Sequence, residues 1–403
     1  MNLPRLRFFE SSVGQRHISE ADRYLYKPEA ATSRLVIIGT GTIGQEHMRV
    51  ASLLGRAQIL GIYDTQALSM DCAAANFKQV SDQPLVRYSD LESACNDPDA
   101  DAVFICTPNY THFDILQVAI KSGKPIFLEK PMATDLGDAA AIVAMADAYV
   151  SFIQIGLQYR YKAQYIEAFY EVQARRSLGA VKTISLSEYR PPFLDKVGQW
   201  NKFNEYTGGT LVEKCCHYFD LINLLAESMP TKVYASGGQA VNFIEFEKEG
   251  KKSDIDDHAF VVIDYANGTR ASFTLNMFCA DFTEELVVTG NAGRLVAKEV
   301  FNFQQELGSK ATVVIESGEQ AACRQMDVTY GALIEQSGHH GATYYEHIAF
   351  MDHLEGKPVD AATPLQGLWS MVLASAAQES MATGQVVNIP QFMSANGLAG
   401  YLK

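Results

Sequence analysis

The segment RLVIIGTGTIGQEHMRVASLLG, residues 34–55, constrains the fold of this 403-residue chain more than any other stretch. Leu35 to Ile38 are apolar and read as a short buried strand, and Gly39-x-Gly41-x-x-Gly44 follows at once. Beyond the glycines, Ile43, Met48, Ala51 and Leu54 recur at helical spacing. The glycine pattern is informative because it ends a strand and opens a helix. Gly39 permits the tight turn, Gly41 lets the backbone approach a pyrophosphate, and Gly44 lets helix and strand pack closely. The unpaired N–H groups of the helix start then favour phosphate.

A second strand, AQILGIYD, ends in Asp64, 20 residues after Gly44. An acid at this point grips the hydroxyls of an adenosine ribose and repels a 2′-phosphate, so NAD is the expected cofactor and NADP is disfavoured. The competing reading of Asp64 is an ordinary strand-end acid. Strands AVFIC and PIFL follow, separated by the helix HFDILQVAIKSG. Strands alternating with helices indicate βαβ units and a doubly wound parallel sheet, whose ligands bind off the C-terminal strand ends. Thr107-Pro108-Asn109-Tyr110-Thr111-His112 and Glu129-Lys130-Pro131 lie there.

From residue 153 the pattern becomes β-rich: TISLSEY, KVYASG, HAFVVIDY, TRASFTLNMF, EELVVTG and GRLVAKE. The Asn267-Gly268 pair marks one hairpin. The expected fold is α/β. A Rossmann domain with a doubly wound parallel sheet spans residues 34–152. An α+β domain with a large, mostly antiparallel open sheet spans 153–390, with helices on one face. An N-terminal arm at 1–33 and a tail at 391–403 flank them.

Composition removes several functions. The formal net charge is −14, which repels nucleic-acid phosphates and anionic lipid. No uncharged apolar run approaches the ~18 residues of a membrane span. The opening MNLPRLRFFESS has basic residues without an apolar stretch behind them, which argues against a secretory leader. The seven cysteines are odd in number and several sit in apolar runs, which indicates a reducing cytosol. No C-x-x-C occurs, and the adjacent Cys215 and Cys216 make a poor chelate with His217, so no metal is expected.

Four stretches in order, GTGTIGQEH (39–47), CTPNYTH (106–112), LEKP (128–131) and GGTLVEKCCH (208–217), resemble the Gfo/Idh/MocA oxidoreductases, the glucose–fructose oxidoreductase and inositol dehydrogenase family. The likeness covers roughly residues 34–390. It implies a glycine loop of Gly39, Gly41, Thr42, Ile43 and Gly44 around the cofactor, joined by Thr107, Pro108, Asn109, His112 and Glu129. It also implies Lys130 between nicotinamide and substrate. The family's G-G-x-x-x-D-x-x-x-H places its catalytic histidine at His217, but position 213 is Glu in place of Asp.

Read as one helix, Glu213 and His217 are i and i+4 and share a face, while Lys214 and Cys215 turn away. Oxidising a secondary alcohol needs a proton acceptor, and imidazole suits it because its pKa lies near 7. Lys130 would stabilise the developing alkoxide. Glu213 would either orient His217 or hold a neighbouring hydroxyl. Gln158, Arg160, Trp200 and His340 complete the substrate-side candidates. The expected protein is a cytoplasmic, homo-oligomeric (dimer or tetramer) NAD-dependent dehydrogenase of a ring hydroxyl on a sugar, polyol or related cyclic carbohydrate. The alternatives are glycoside cleavage through transient ring oxidation, and a non-catalytic sugar or NAD sensor.

Overall fold

A computed structural model describes residues 31–302, 308–318 and 322–402. The expected arm at 1–33 lies outside the described residues except for its last three, and Ser33 already opens a strand.

Six strands, β1 (Ser33–Ile38), β2 (Ala57–Tyr63), β3 (Val86–Arg87), β4 (Ala102–Ile105), β5 (Ile126–Glu129) and β6 (Ile153–Gly156), form a parallel sheet in the order β3-β2-β1-β4-β5-β6. Leu35, Val36, Ile37 and Ile38 are fully buried, as a central parallel strand covered on both faces must be. The sheet runs past the expected edge at residue 152. Ile153–Gly156 pairs with β5 and completes it, because its apolar residues bury in the same layer.

Gly39 takes φ +90°, and a Cβ there would stand 2.7 Å from the backbone of Cys106 and Thr107. The chain must therefore turn at Gly39 to pass beneath the end of β4. At Gly44 a Cβ would meet the Gly39 carbonyl, so only glycine lets the helix Thr42–Leu54 start this close to β1.

The second half builds a nine-stranded sheet from β7 (Val181–Tyr189), β8 (Pro230–Gly238), β11 (His258–Tyr265), β12 (Arg270–Asn276), β13 (Phe282–Gly290), β14 (Gly293–Phe301), β15 (Lys310–Ser317), β16 (Ala322–Asp327) and β17 (Val387–Asn388). Between β8 and β11, β9 (Glu247–Lys248) and β10 (Lys251–Lys252) make a separate hairpin. The order is β16-β15-β14-β13-β7-β12-β11-β8-β17, and every pairing is antiparallel except β12 with β7. Alternate residues such as Leu186, Val261, Phe273, Leu286 and Leu295 are buried on one face, where the helix Cys216–Ala226 packs on β7, Pro364–Thr383 on β8 and Ala163–Phe169 on β14 and β15. Phe260 and Val262 on the opposite face are 60% and 47% exposed.

The helix Pro364–Thr383 is started by a capping box between Thr363 and Gln366, with proline at its first turn. It packs on β8 and also reaches the first sheet, where Gly367 faces Met132 and Ile155. A larger residue at 367 would push the two halves apart.

Candidate active site

The C-terminal ends of β1, β4 and β5 meet beneath the helix Thr210–Glu213 and the start of Cys216–Ala226. The cofactor side comes first. Helix Thr42–Leu54 has no side-chain cap and no acidic residue in its first turn, so its N–H groups and dipole stay available. A Cβ at Gly41 would enter open space with no protein atom within 4 Å. This open cradle fits the diphosphate of a dinucleotide, with Thr42 and Ile43 opening the helix behind it.

Asp64 stands at the end of β2. Its Oδ2 accepts hydrogen bonds from Thr40 N (2.8 Å) and Thr40 Oγ1 (3.1 Å), and its Oδ1 accepts from Gln66 N (2.8 Å). The carboxylate thus holds the glycine loop as well as standing where a ribose would lie.

Thr107 and Pro108 are half-buried beside this cleft, and Thr111 Oγ1 donates to Thr107 Oγ1 at 2.8 Å. Two residues expected against the cofactor are instead spent on protein partners. His112 is fully buried, its Nδ1 lying 2.8 Å from the Pro131 carbonyl and its Nε2 2.9 Å from the Thr107 carbonyl. It pins the loops after β4 and β5 together. Glu129 pairs with His47 Nε2 at 2.9 Å and accepts from Lys130 N at 3.0 Å, while His47 Nδ1 lies 2.7 Å from His347 Nε2. Both residues shape the loops that carry their neighbours.

On the substrate side, Lys130 Nζ donates to the main-chain oxygen of Glu213 at 3.0 Å. In an unbroken helix that carbonyl would accept the N–H of residue 217. The amine takes it, and the expected single helix is two, joined at Lys214–Cys215. Glu213 and His217 make no hydrogen bond to each other among the described residues. Asn109 Nδ2 donates to Glu213 Oε2 instead, which ties the carboxylate to the loop after β4. Burial works against the Lys130 charge, but the negative charges of Glu213 and Glu129 outweigh it and hold the amine above the ordinary lysine range.

His217 is buried, and its ring stacks on Tyr159 with centroids 4.1 Å apart and planes 8° off parallel. Burial and then the charges of Lys130 and Lys214 drive its pKa well below the usual imidazole range, rather than leaving it near 7. Its Nδ1 has no hydrogen-bond partner among the described residues. Lys214 does not turn away from the site. Its Nζ donates to Tyr159 Oη at 2.6 Å and pairs with Glu188 at 3.1 Å. Tyr159 and Lys214 were missed by the sequence reading, although Tyr159 lies between Gln158 and Arg160.

The remaining substrate candidates divide. Gln158 is buried with its Oε1 unpartnered. Trp200 is half-buried, with its ring 6.3 Å from that of Tyr110. Arg160 is committed to a buried two-pronged pair with Asp220, both contacts 2.6 Å, and so supports the helix that carries His217. His340 sits 2.7 Å from Glu299 among Phe282 and Phe301, while His339 faces Glu46 (2.7 Å) and Tyr159. The two adjacent histidines have φ of 41° and 55°, a left-handed turn that sends their side chains apart. Burial pushes the Cys216 thiol up to about 12 and Cys215 also far up, so both stay as thiols and pack as small apolar groups. No cluster of three or more His, Cys, Asp or Glu able to hold a metal occurs among the described residues. No described helix is long and apolar enough to cross a membrane.

Two family models match the chain: an oxidoreductase family NAD-binding Rossmann fold over residues 33–157, and the same family's C-terminal alpha/beta domain over 174–389. An inositol 2-dehydrogenase of Pseudarthrobacter chlorophenolicus is 26% identical over 73% of this chain and 86% of its own. A 1-carboxy-3-chloro-3,4-dihydroxycyclohexa-1,5-diene dehydrogenase of Comamonas testosteroni is 25% identical over 74% of this chain and 70% of its own. The structure of a levoglucosan dehydrogenase with NADH and levoglucosan superposes with a TM-score of 0.73 at 19% identity, covering 89% of this chain and all of the other. The glycine loop, the Lys130 motif and both domain matches lead to one conclusion: the chain belongs to the Gfo/Idh/MocA family of NAD-binding oxidoreductases.

Proposed function

We propose that this protein is an NAD-dependent dehydrogenase of a ring hydroxyl on a sugar, polyol or related cyclic carbohydrate. The observation that carries the reading is the meeting of a charged amine, Lys130, with an imidazole kept neutral, His217, across the broken helix at Glu213. Gly39, Gly41, Thr42, Ile43, Gly44, Asp64, Thr107 and Pro108 hold the dinucleotide. NAD, when bound, supplies the hydride acceptor. His217 takes the hydroxyl proton onto its imidazole, which its neutral state permits at ordinary pH. Lys130 donates to the same oxygen and steadies the alkoxide as it forms. Glu213, held by Asn109, accepts from a neighbouring ring hydroxyl, and Gln158 and Trp200 line the remaining wall. Relatives named for inositol and levoglucosan favour cyclic polyhydroxyl substrates.

The test is a screen of monosaccharides, inositols and glycosides with NAD and NADP, following reduced nicotinamide. Net NADH with at least one ring polyol is expected. Cleaved glycoside without net NADH would replace this reading with transient oxidation, and binding without turnover would make the protein a sensor. The same reading includes a cytosolic homo-oligomer, dimer or tetramer. Its support is a set of seven unpaired cysteines and the apolar outer face bearing Tyr234, Phe260 and Val262. Sedimentation and cell fractionation test those two points.

A further inference from the structure

The charged side chains around the site are nearly all spoken for. Lys130 is held by the Glu213 carbonyl, and Glu213 by Asn109. Glu129 is held by His47, Glu46 by His339 and Thr343, and Lys214 by Tyr159 and Glu188. Lys196 is the exception: it makes no hydrogen bond or ion pair through its side chain among the described residues. Its neighbour Asp195 pairs with Lys202 at 2.7 Å and not with Lys196.

Lys196 belongs to the segment that leaves β7 and leads to Trp200, whose ring stands 6.3 Å from that of Tyr110, the neighbour of the Asn109 that holds Glu213. Its backbone is fixed by the Gln199 N–H, which donates to the Lys196 carbonyl at 2.9 Å. The side chain is half-buried, and the charges its amine feels most are those of Glu213 and Lys130. Burial, helped by the like charge of Lys130, outweighs Glu213 and holds the amine below the ordinary lysine range. Ordering a long cationic side chain beside another cation without a partner is costly, and an anion placed there would offset that cost.

We infer that Lys196 receives an anionic group of the substrate, so that the ring oxidised at this site carries a carboxylate. The inference rests on the dehydrogenase reading above and narrows its substrate class. A carboxylate fits better than a phosphate, because one ammonium matches one negative charge. The cofactor diphosphate is the other possible source of negative charge. It belongs at the uncapped helix start near Gly41, whereas Lys196 lies in the second domain between β7 and Trp200 and feels Glu213 and Lys130 most. With a net charge of −14 the protein repels anions at long range, so an acidic substrate needs a local cation of this kind.

The experiment compares each neutral sugar with its uronic acid, glucose with glucuronate and galactose with galacturonate, using wild-type enzyme, K196Q and K196R with NAD. Wild type is expected to favour an acid over its neutral partner in kcat/KM. K196Q should lower that ratio by about 10- to 100-fold, the worth of one charge-assisted hydrogen bond, and K196R should retain most of it. Titration of NAD by nicotinamide fluorescence separates the two anion sources. Loss of NAD affinity in K196Q with an unchanged acid-to-neutral ratio would assign Lys196 to the cofactor and overturn the inference. NADH formation from neutral sugars at least as good as from acids in wild type would overturn it while leaving the dehydrogenase reading intact. No NADH from either series, with NAD still bound, would overturn both.

Discussion

Replacing Asp64 with asparagine tests the cofactor side most directly, and the geometry sets the size of the effect. A carboxylate offers about four acceptor positions. Thr40 N, Thr40 Oγ1 and Gln66 N occupy three of them. One remains for a ribose hydroxyl, so the direct contact is a single hydrogen bond to a charged acceptor, about 1.5–3 kcal/mol. D64N should therefore weaken NAD binding by about 10- to 100-fold, with a smaller gain for NADP once the 2′-phosphate no longer meets a negative charge. Asparagine preserves one oxygen for the glycine loop, so the drop in melting temperature should be modest. D64A removes all three loop contacts and should lose stability as well as affinity. Fluorescence titration of NAD and NADP against both variants, with thermal unfolding alongside, reads out each quantity. Wild-type preference for NADP, or unchanged NAD affinity in D64N, would refute the assignment of Asp64 to the ribose.

Two other outcomes follow from the substrate side. K130M should lower kcat by about 10²- to 10³-fold through loss of alkoxide stabilisation, with NAD affinity nearly retained; a binding defect at unchanged kcat would make Lys130 a cofactor residue only. Because burial and the nearby lysines hold His217 well below the ordinary imidazole value of about 6.5, the ring is already neutral above that pH, so kcat for oxidation should be flat from about pH 6.5 upward and fall only in acid. K214M removes one of the positive charges that depress it and should move the acid limb upward, whereas a limb centred near pH 7 in wild type, absent in H217A, would contradict the buried, neutral imidazole.

Much of the first domain was legible because its determinants are local. The glycine loop needs only Gly39 and Gly44 to clear atoms fixed by β1 and β4, and the Asp64 spacing follows from one helix and one strand. The large, mostly antiparallel open sheet was readable from alternation in the same way, though β15, β16 and β17 were not among the runs that pointed to it. The substrate side was less legible because its contacts span long sequence distances. The stretch GGTLVEKCCHYFDLINLL was expected as one helix, whereas it divides after Glu213, where Lys130, 83 residues upstream, donates to the carbonyl. Arg160 was expected as a substrate contact, but Asp220, 60 residues on, takes its guanidinium. Tyr159 was passed over because nothing beside it in sequence announces His217 stacked on its ring.

The helix Pro364–Thr383 has a consequence for how the chain divides into transferable parts. Its Gly367 seats against Met132 and Ile155 of the first domain, and farther on the Tyr401 hydroxyl donates to the Ala140 carbonyl. The dinucleotide-binding half is thus finished by residues more than 200 positions farther along the chain. A fragment ending near residue 157 would expose the apolar surface that this helix covers, and a newly synthesised first domain stays open there until the helix Pro364–Thr383 arrives. Chimeras that exchange cofactor halves between relatives need to carry the C-terminal segment along with the N-terminal one, so the exchangeable unit is discontinuous in sequence.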